Sequence, residues 1–193
     1  MINDGNNRLH SGVEGNGRGV STVSADPVSW YAARTGRGQE MSARATLQRL
    51  SVEHFIPTRE VERTRRGKKV KVEVSLIPNL IFLRATKPYA CSLVNSGELN
   101  AKLIVDRTTN SLLRVPDKQM DDFIRVVNEA PDPICPSDYE FVPGGKVRVV
   151  KGSFAGIQGE VVNMPNKTYL IVSLGHLICA KVQIPRAWLM PID

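Results

Sequence analysis

A proline-rich stretch near residue 130 divides the chain into two parts. Residues 130–141 contain Pro131, Pro133 and Pro136 among Asp and Ser residues. Segments of this composition are extended and semi-rigid. The sequence therefore predicts a linker at residues 131–141, with one domain before it at 28–130 and a second after it at 142–193.

The beginning of the chain differs in composition from the rest. Residues 1–24 are rich in Gly, Asn and Ser and have no apolar periodicity. Such a segment buries too little apolar surface to offset the entropy of ordering. We predict a flexible tail at residues 1–27. The whole chain of 193 residues is 41% hydrophobic, which is enough for a packed core in at most two modest domains.

The first part alternates between strand and helix patterns. Apolar and alternating runs predict strands at 28–34, 55–58, 76–83, 103–105 and 112–115, a basic hairpin turning at residues 66–68, and a helix at 39–50. A second helix opens at Asp117, where Met120, Phe123, Ile124 and Val127 recur at helical spacing. This order predicts an α+β sandwich with the strand at 76–83 in its centre.

The second part has a different pattern, with turn residues between five short apolar runs. These runs cover residues 146–150, 159–162, 169–174, 180–184 and 188–190. Short strands at such spacing predict a small five-stranded β-barrel. Several Val and Ile residues in these runs favour strands over helices, so we expect the barrel to form constitutively.

Composition excludes several classes of function. The formal net charge of +7, from 26 Lys plus Arg against 19 Asp plus Glu, favours polyanionic partners such as nucleic acid. The three Cys form no CxxC pair, and the three His show no metal-ligand spacing. No nucleophile elbow, paired carboxylates or phosphate-cradling loop is recognisable. We expect neither a metal, nor a cofactor, nor an enzyme activity.

The apolar runs also indicate where in the cell the protein is expected. The longest of them are far too short to span a bilayer, and the first residues lack the apolar region of a secretory signal. These features predict a cytoplasmic protein without a membrane partner. We expect a monomer.

The segment from Gly145 to Val161 carries the strongest local motif. Its order is strand, glycine turn, Phe154, glycine turn and strand, with Gly152, Gly156 and Gly159 expected to provide positive φ and tight reversal. Phe154 is suited to close one end of a small barrel. This pattern resembles the KOW motif, which occurs in ribosomal proteins and in transcription elongation factors.

The first part resembles the N-terminal domain of the NusG family of elongation and antitermination factors. The matching segments are Trp30-Tyr31-Ala32-Ala33-Arg34, Arg37-Gly38-Gln39, Phe55-Ile56-Pro57-Thr58, the basic Arg66-Gly67-Lys68-Lys69, and Leu76 to Phe82. With the KOW motif, the resemblance extends from Val28 to the C-terminus. It implies an α/β sandwich followed by an SH3-like KOW barrel.

Two details resemble specialised members of that family. Pro78-Asn79-Leu80 stands where the general factor has Pro-Gly-Tyr, and Asn at this position resembles RfaH. Asn tolerates a left-handed turn better than other non-glycine residues, so the local kink can persist. The stretch from Val115 through Phe123-Ile124 is similar to the UpxY antiterminators of capsule operons.

The resemblance implies a set of polymerase contacts. In this family the first domain grips the clamp helices of RNA polymerase through an apolar hollow, and the matching positions are Ile77, Leu80, Phe123 and Val126. An apolar groove that receives helices is a known recognition mode. The alternative is that these four are ordinary core residues.

The resemblance also implies contacts with nucleic acid. Arg34, Arg37 and Arg49 match the face with which the specialised paralogues read the displaced non-template DNA strand. Arg pairs with phosphate and stacks on bases. In the hairpin, Arg65 and Arg66 are further candidates. The alternative for both groups is a solvated basic surface.

These expectations define the predicted function. The chain resembles an operon-specific antitermination factor whose first domain holds polymerase and whose barrel is free to recruit termination factor Rho or a small-subunit ribosomal protein. A general elongation factor would load on most transcription units without a sequence preference. A ribosome-associated KOW protein that binds RNA is the alternative from another class.

Overall fold

The computed structural model describes residues 26–130, 133–134, 144–164, 167–174 and 177–192. The predicted flexible tail lies almost wholly outside these residues, and so does most of the predicted linker. Within the described linker residues, Ile134 forms a β-bridge with Ala180, and the N–H of Lys181 donates to the carbonyl of Pro133 at 2.6 Å.

The N-terminal part is an α/β sandwich built on an antiparallel sheet. Its elements are β1 (Ser29–Thr35), α1 (Glu40–Arg49), β2 (Glu53–Phe55), β3 (Thr58–Arg65), β4 (Lys68–Ser75), β5 (Leu80–Ala85), α2 (Lys87–Asn95), β6 (Ala101–Leu103), β7 (Val105–Asp106), β8 (Ser111–Leu112), β9 (Arg114–Val115) and α3 (Asp117–Glu129). The strand order is β2-β5-β1-β6, and β9 also pairs with β1. The predicted central strand is confirmed as β5, although it begins at Leu80.

Both faces of this sheet are covered, which explains the continuous apolar run of β1. Trp30 and Ala32 point to one face and join the hydrophobic cluster that contains Met120 and Phe123 of α3. Tyr31 and Ala33 point to the other face and join a cluster with residues of α1 and α2. Successive strand residues alternate between faces, so a strand covered on both sides is apolar throughout.

The helix α2 was not predicted from the sequence. The hydroxyl of Thr86 caps it by accepting from the N–H of Tyr89 at 3.4 Å, and a proline lies in its first turn. Threonine at the N-cap and proline at the start are ordinary helix signals. They were detectable in Thr86-Lys87-Pro88, but the following residues lack a strong periodic pattern.

The C-terminal sheet consists of β10 (Lys146–Val149), β11 (Gln158–Met164), β12 (Lys167–Leu174), β13 (Ile178–Gln183) and β14 (Leu189–Pro191), with one 3-10 turn at Arg186–Trp188. The strand order is β13-β12-β11-β10-β14. The prediction of five strands is therefore confirmed. Among the described residues β13 and β14 do not pair with each other, so a closed barrel is not shown.

The glycines of the predicted motif have two different roles. Gly152 and Gly156 have φ of 79° and 90°, as expected for turns that favour glycine. The expectation of a positive φ at Gly159 was wrong, because that residue lies within β11. A Cβ there would lie 2.2 Å from the carbonyl oxygen of Ile171 on β12. Glycine is required at this position by the close approach of two strands.

The two parts pack against each other through α3. This helix contacts β12 and β13, and its apolar residues share a cluster with the interior of the C-terminal sheet. Arg125 Nη1 donates to the carbonyl of Ala155 at 3.3 Å, and the N–H of Gln158 donates to Asp122 Oδ2 at 3.4 Å. The C-terminal sheet therefore lies on the N-terminal part instead of standing free.

Candidate functional site

One end of the N-terminal sheet, where β1 ends and β5 begins, is held by a backbone network. The N–H of Thr35 donates to the carbonyl of Asn79 at 3.0 Å. The N–H of Asn79 donates to Glu40 Oε1 at 2.6 Å, and the Glu40 side chain is buried. Asn79 has φ of 63°, which confirms the left-handed turn expected there. These bonds join β1, the start of α1 and the start of β5.

Two basic residues follow Leu80 across the sheet at this end. In the sheet register Arg34 of β1 lies opposite Leu80 of β5 on one side and opposite Lys102 of β6 on the other. Directly opposite residues share a face of the sheet. Arg34, Lys102 and the neighbouring loop residue Arg37 are exposed, whereas Leu80 is only 1% exposed. Sequence reasoning missed Lys102 because only the pairing of β1 with β6 brings it beside Arg34.

The four predicted polymerase-contacting residues belong to one cluster but have different surroundings. Leu80, Phe123 and Val126 are buried, and Ile77 is half-buried and packs against the same cluster. The ring of Phe123 lies 6.0 Å from that of Phe82 and 6.4 Å from that of Phe55, so Phe123 is part of the N-terminal core.

Val126 lies on the side of α3 that meets the C-terminal sheet. It follows Asp122 by one helical turn and therefore shares its face. The Asp122 carboxylate contacts the backbone of Gln158 in the C-terminal sheet and pairs with Lys118 Nζ at 2.5 Å. With the two parts packed in this way, the apolar surface of α3 is covered.

Arg49 lies away from the other predicted nucleic-acid contacts. It ends α1, a helix of 10 residues that begins near Arg37 and runs for about 15 Å over the opposite face of the sheet. Its Nη2 forms an ion pair with Glu98 Oε1 at 3.4 Å. The structure therefore places Arg34 and Arg37 near one end of the sheet, and Arg49 on the helix that covers the face opposite to that of Arg34.

The predicted hairpin is confirmed and leaves the sheet at the end that carries Arg34. Strands β3 and β4 pair only with each other among the described residues. Arg66 and Gly67 form the turn with φ of 50° and 76°, and Arg65 and Arg66 are exposed at the tip. Positive φ at both central residues is the geometry of a two-residue hairpin turn.

One ion-pair group fixes the hairpin to α1, and a second fixes α3 to the sheet. At the hairpin base, Arg44 Nη1 donates to Glu73 Oε2 at 2.7 Å, and the Thr58 hydroxyl donates to Glu73 Oε1 at 2.5 Å. These bonds hold the pKa of Glu73 below its usual value. Arg84 bridges Glu53 at 3.0 Å and Asp117 at 3.2 Å, and both bonds raise its pKa.

Other kinds of site have no counterpart in the described ranges. No group of three or more His, Cys, Asp or Glu residues is placed to hold a metal ion there. In the same part of the chain, no helix combines the length and apolar character needed to cross a membrane. The features that remain are the basic end of the N-terminal sheet, the exposed hairpin and the covered face of α3.

Comparison with known proteins identifies the class to which this arrangement belongs. Residues 28–124 match the family model described as "Transcription termination factor nusG". This match covers half of the chain and includes the whole sheet that carries the candidate site. The chain belongs to the NusG family of transcription factors.

Two solved structures are similar to the chain over most of its length. One, titled "Domain interaction in Thermotoga maritima NusG", is 15% identical, covers 86% of this chain and 98% of its own, and has a TM-score of 0.47. The other, titled "Crystal Structure of MjSpt4:Spt5 complex conformation B", is 12% identical, covers 85% and 97%, and has a TM-score of 0.27. Family membership rests on the sequence match.

Proposed function

We propose that this NusG-family protein binds RNA polymerase and suppresses pausing or termination on selected operons, of the capsular polysaccharide type. The observation that carries the proposal is the end of the N-terminal sheet where exposed Arg34 lies between Leu80 and exposed Lys102 in the sheet register. The half-buried Ile77, just before the Asn79 turn, supplies the accessible apolar edge at this end. An apolar contact bordered by cations suits a protein that meets polymerase and its nucleic acid together. Asn79, at the turn beside Leu80, supports the resemblance to the specialised paralogues.

The polymerase contact is assigned to Ile77, Leu80, Phe123 and Val126, with the clamp helices as the bound element. Phe123 supports this surface from the core, and Val126 lies under the C-terminal sheet. Docking on α3 therefore requires the C-terminal sheet to leave the helix. Once released, that sheet would be available to Rho or a small-subunit ribosomal protein, the partners implied by the KOW resemblance.

The contact with non-template DNA is assigned first to Arg34 and Arg37, which are exposed at the same end of the sheet. Arg65 and Arg66 extend the basic surface along the hairpin. Arg49 would join only with DNA that wraps around the sheet, since α1 covers the opposite face and Arg49 pairs with Glu98. Bound polymerase would thus be held in one conformational state without any chemical step.

The test is a pull-down of the full-length protein with core RNA polymerase, alone and in paused elongation complexes. Ile77→Asp places a charge on the half-buried edge of the proposed contact and should reduce binding at least tenfold. Tyr89→Asp is the matched control, because Tyr89 is 43% exposed on α2, which covers the opposite face of the sheet. Circular dichroism verifies that both variants fold.

The outcomes separate the candidate functions. Loss of binding with Ile77→Asp alone supports the polymerase contact. Absence of wild-type binding to polymerase in both forms overturns the proposal, and sedimentation with ribosomal subunits would then favour the ribosome-associated alternative. Equal pause suppression on every template would identify a general elongation factor.

A further inference from the structure

The register of the β3–β4 hairpin divides its side chains between two faces. Directly opposite residues in an antiparallel pair point to the same side. The face that we call the valine face carries Arg59, Val61, Arg63, Arg65, Lys68, Val70, Val72 and Val74. The other, the glutamate face, carries Thr58, Glu60, Glu62, Thr64, Lys69, Lys71, Glu73 and Ser75.

The charges of the glutamate face are neutralised within the protein. Lys69 Nζ lies 3.5 Å from Glu62 Oε2, and Lys71 Nζ lies 3.4 Å from Glu60 Oε2. The third acid, Glu73, pairs with Arg44 of α1. Each carboxylate on this face therefore has a cation beside it. The face also meets α1 at the hairpin base, so the valine face is directed away from that helix.

The valine face has four cations and no acid. Arg59, Arg63, Arg65 and Lys68 are all exposed. No ion pair within the described part of the chain involves any of them. The four valines between them are half-buried and lie outside the three hydrophobic clusters of the described residues. This face thus presents unpaired positive charge around an uncovered apolar stripe.

The chemistry of the valine face favours duplex DNA as its partner. The hairpin carries no aromatic residue, so it offers no platform on which unpaired bases could stack. Its cations are suited to the phosphate backbone, the dominant and sequence-independent source of affinity for a duplex. Arg59 and Arg65 lie six residues apart, about 20 Å along the strand. The major groove of DNA admits a two-stranded ribbon and is about 12 Å wide. The span of the cations is therefore longer than the groove is wide.

We propose that the valine face binds the phosphate backbone of duplex DNA next to the transcribed region, with Arg59, Arg63, Arg65 and Lys68 as the contacting residues. This inference rests on the proposed function in placing the protein on transcribed DNA, and it extends the nucleic-acid contact to three residues beyond Arg65. It assigns no contact to Lys69 or Lys71. The binding itself can be measured without polymerase.

The experiment compares two double variants of the full-length protein. Arg63→Ala with Arg65→Ala removes two cations from the valine face, and Lys69→Ala with Lys71→Ala removes two from the glutamate face of the same hairpin. Both pairs lower the net charge by two and alter exposed residues. Affinity for a fluorescent 30-base-pair duplex is measured by anisotropy between 50 and 200 mM salt, and thermal unfolding verifies folding.

We expect the valine-face variant to lose about tenfold or more in affinity at low salt. The slope of log affinity against log salt should fall in magnitude by about 2, since two phosphate contacts are lost. The glutamate-face variant should lose less than about threefold, through the change in overall charge alone. Equal losses in the two variants would overturn the assignment to one face.

Two further outcomes contradict the proposal. Failure of the wild type to bind the duplex at 50 mM salt would overturn it and leave an acidic protein surface as the partner to examine. If the valine-face variant loses affinity for a single strand of the same length but keeps its affinity for the duplex, the choice of duplex is overturned. Polymerase pull-down with the valine-face variant is run in parallel. Retained polymerase binding with lost duplex binding separates the hairpin contact from the proposed polymerase contact.

Discussion

At the level of single residues, the turn before β5 depends on the conformation of Asn79. Its φ of 63° lies in the left-handed region, which glycine enters freely and β-branched residues avoid. Asn79→Val should therefore lower the free energy of unfolding by about 1–2 kcal/mol. Asn79→Gly is the matched control and should differ little from the wild type. Urea unfolding measures both, and equal losses would show that the Asn side chain itself, not φ, is required.

The ion pair at the hairpin base predicts a dependence of stability on pH. Bonds from Arg44 and Thr58 lower the pKa of Glu73 from its ordinary 4.5. A carboxylate with a lowered folded-state pKa stabilises the protein above its unfolded-state pKa, and this contribution disappears as the pH falls through the folded-state value. Glu73→Gln should therefore be less stable than the wild type near pH 7, by less than about 1 kcal/mol because the pair is exposed. The difference should vanish as the pH falls below 4.5. A constant difference in thermal midpoint from pH 7 to pH 3 would refute this account.

The sequence predicted some site residues better than others for a physical reason. Arg34 and Arg37 are close in the chain, so their meeting at one end of the sheet needs only a strand and a turn. Lys102 reaches Arg34 only through the pairing of β1 with β6. The sequence places Arg49 with them, but α1 carries it over the opposite face of the sheet and Glu98 pairs with it. A single sequence does not show which strands that are distant in the chain pair with each other.

At the level of elements, predictions succeeded where the apolar period was strong. Helix α3, with Met120, Phe123 and Val127 on one face, and the alternating β4 were both predicted. The short α2 was missed because its capping signals stand without a periodic apolar run. The Arg66-Gly67 turn predicts the pairing of the hairpin strands. Only the register shows that one face is neutralised by ion pairs and the other carries unpaired cations.

The glycines around β11 provide a test of strand packing. Gly159→Ala places a Cβ 2.2 Å from the carbonyl oxygen of Ile171, so β11 and β12 must separate. We expect a loss of about 1–3 kcal/mol in the free energy of unfolding, as for other overpacked sites. At Gly145, a Cβ would meet no atom within 4 Å, and φ is not positive. Gly145→Ala should change stability by less than about 0.5 kcal/mol. Denaturant unfolding distinguishes the two, and a harmless Gly159→Ala would contradict the close approach.

For the whole molecule, the sequence indicated two parts but not their packing. Lys118 and Asp122 have the spacing of an ordinary ion pair on an exposed helix face. In the structure the Asp122 side chain is only 10% exposed, because β11 and its preceding turn cover it. The contact joins Asp122 to Gln158, and these residues lie far apart in the chain. The polar side of α3 could therefore not be recognised as an interface.

This packing predicts that Asp122 controls access to the surface of α3. Asp122→Ala removes the carboxylate that pairs with Lys118 and accepts from the N–H of Gln158. Loss of a charge-assisted bond should shift the balance toward separated parts on the order of tenfold. Small-angle scattering should then give a larger radius of gyration, and polymerase should bind more tightly. Asp121→Ala is the control, because the neighbouring Asp121 is exposed. If Asp122→Ala separates the parts without strengthening polymerase binding, the surface of α3 is not the polymerase contact. If the radius is unchanged, the apolar residues alone hold the two parts together.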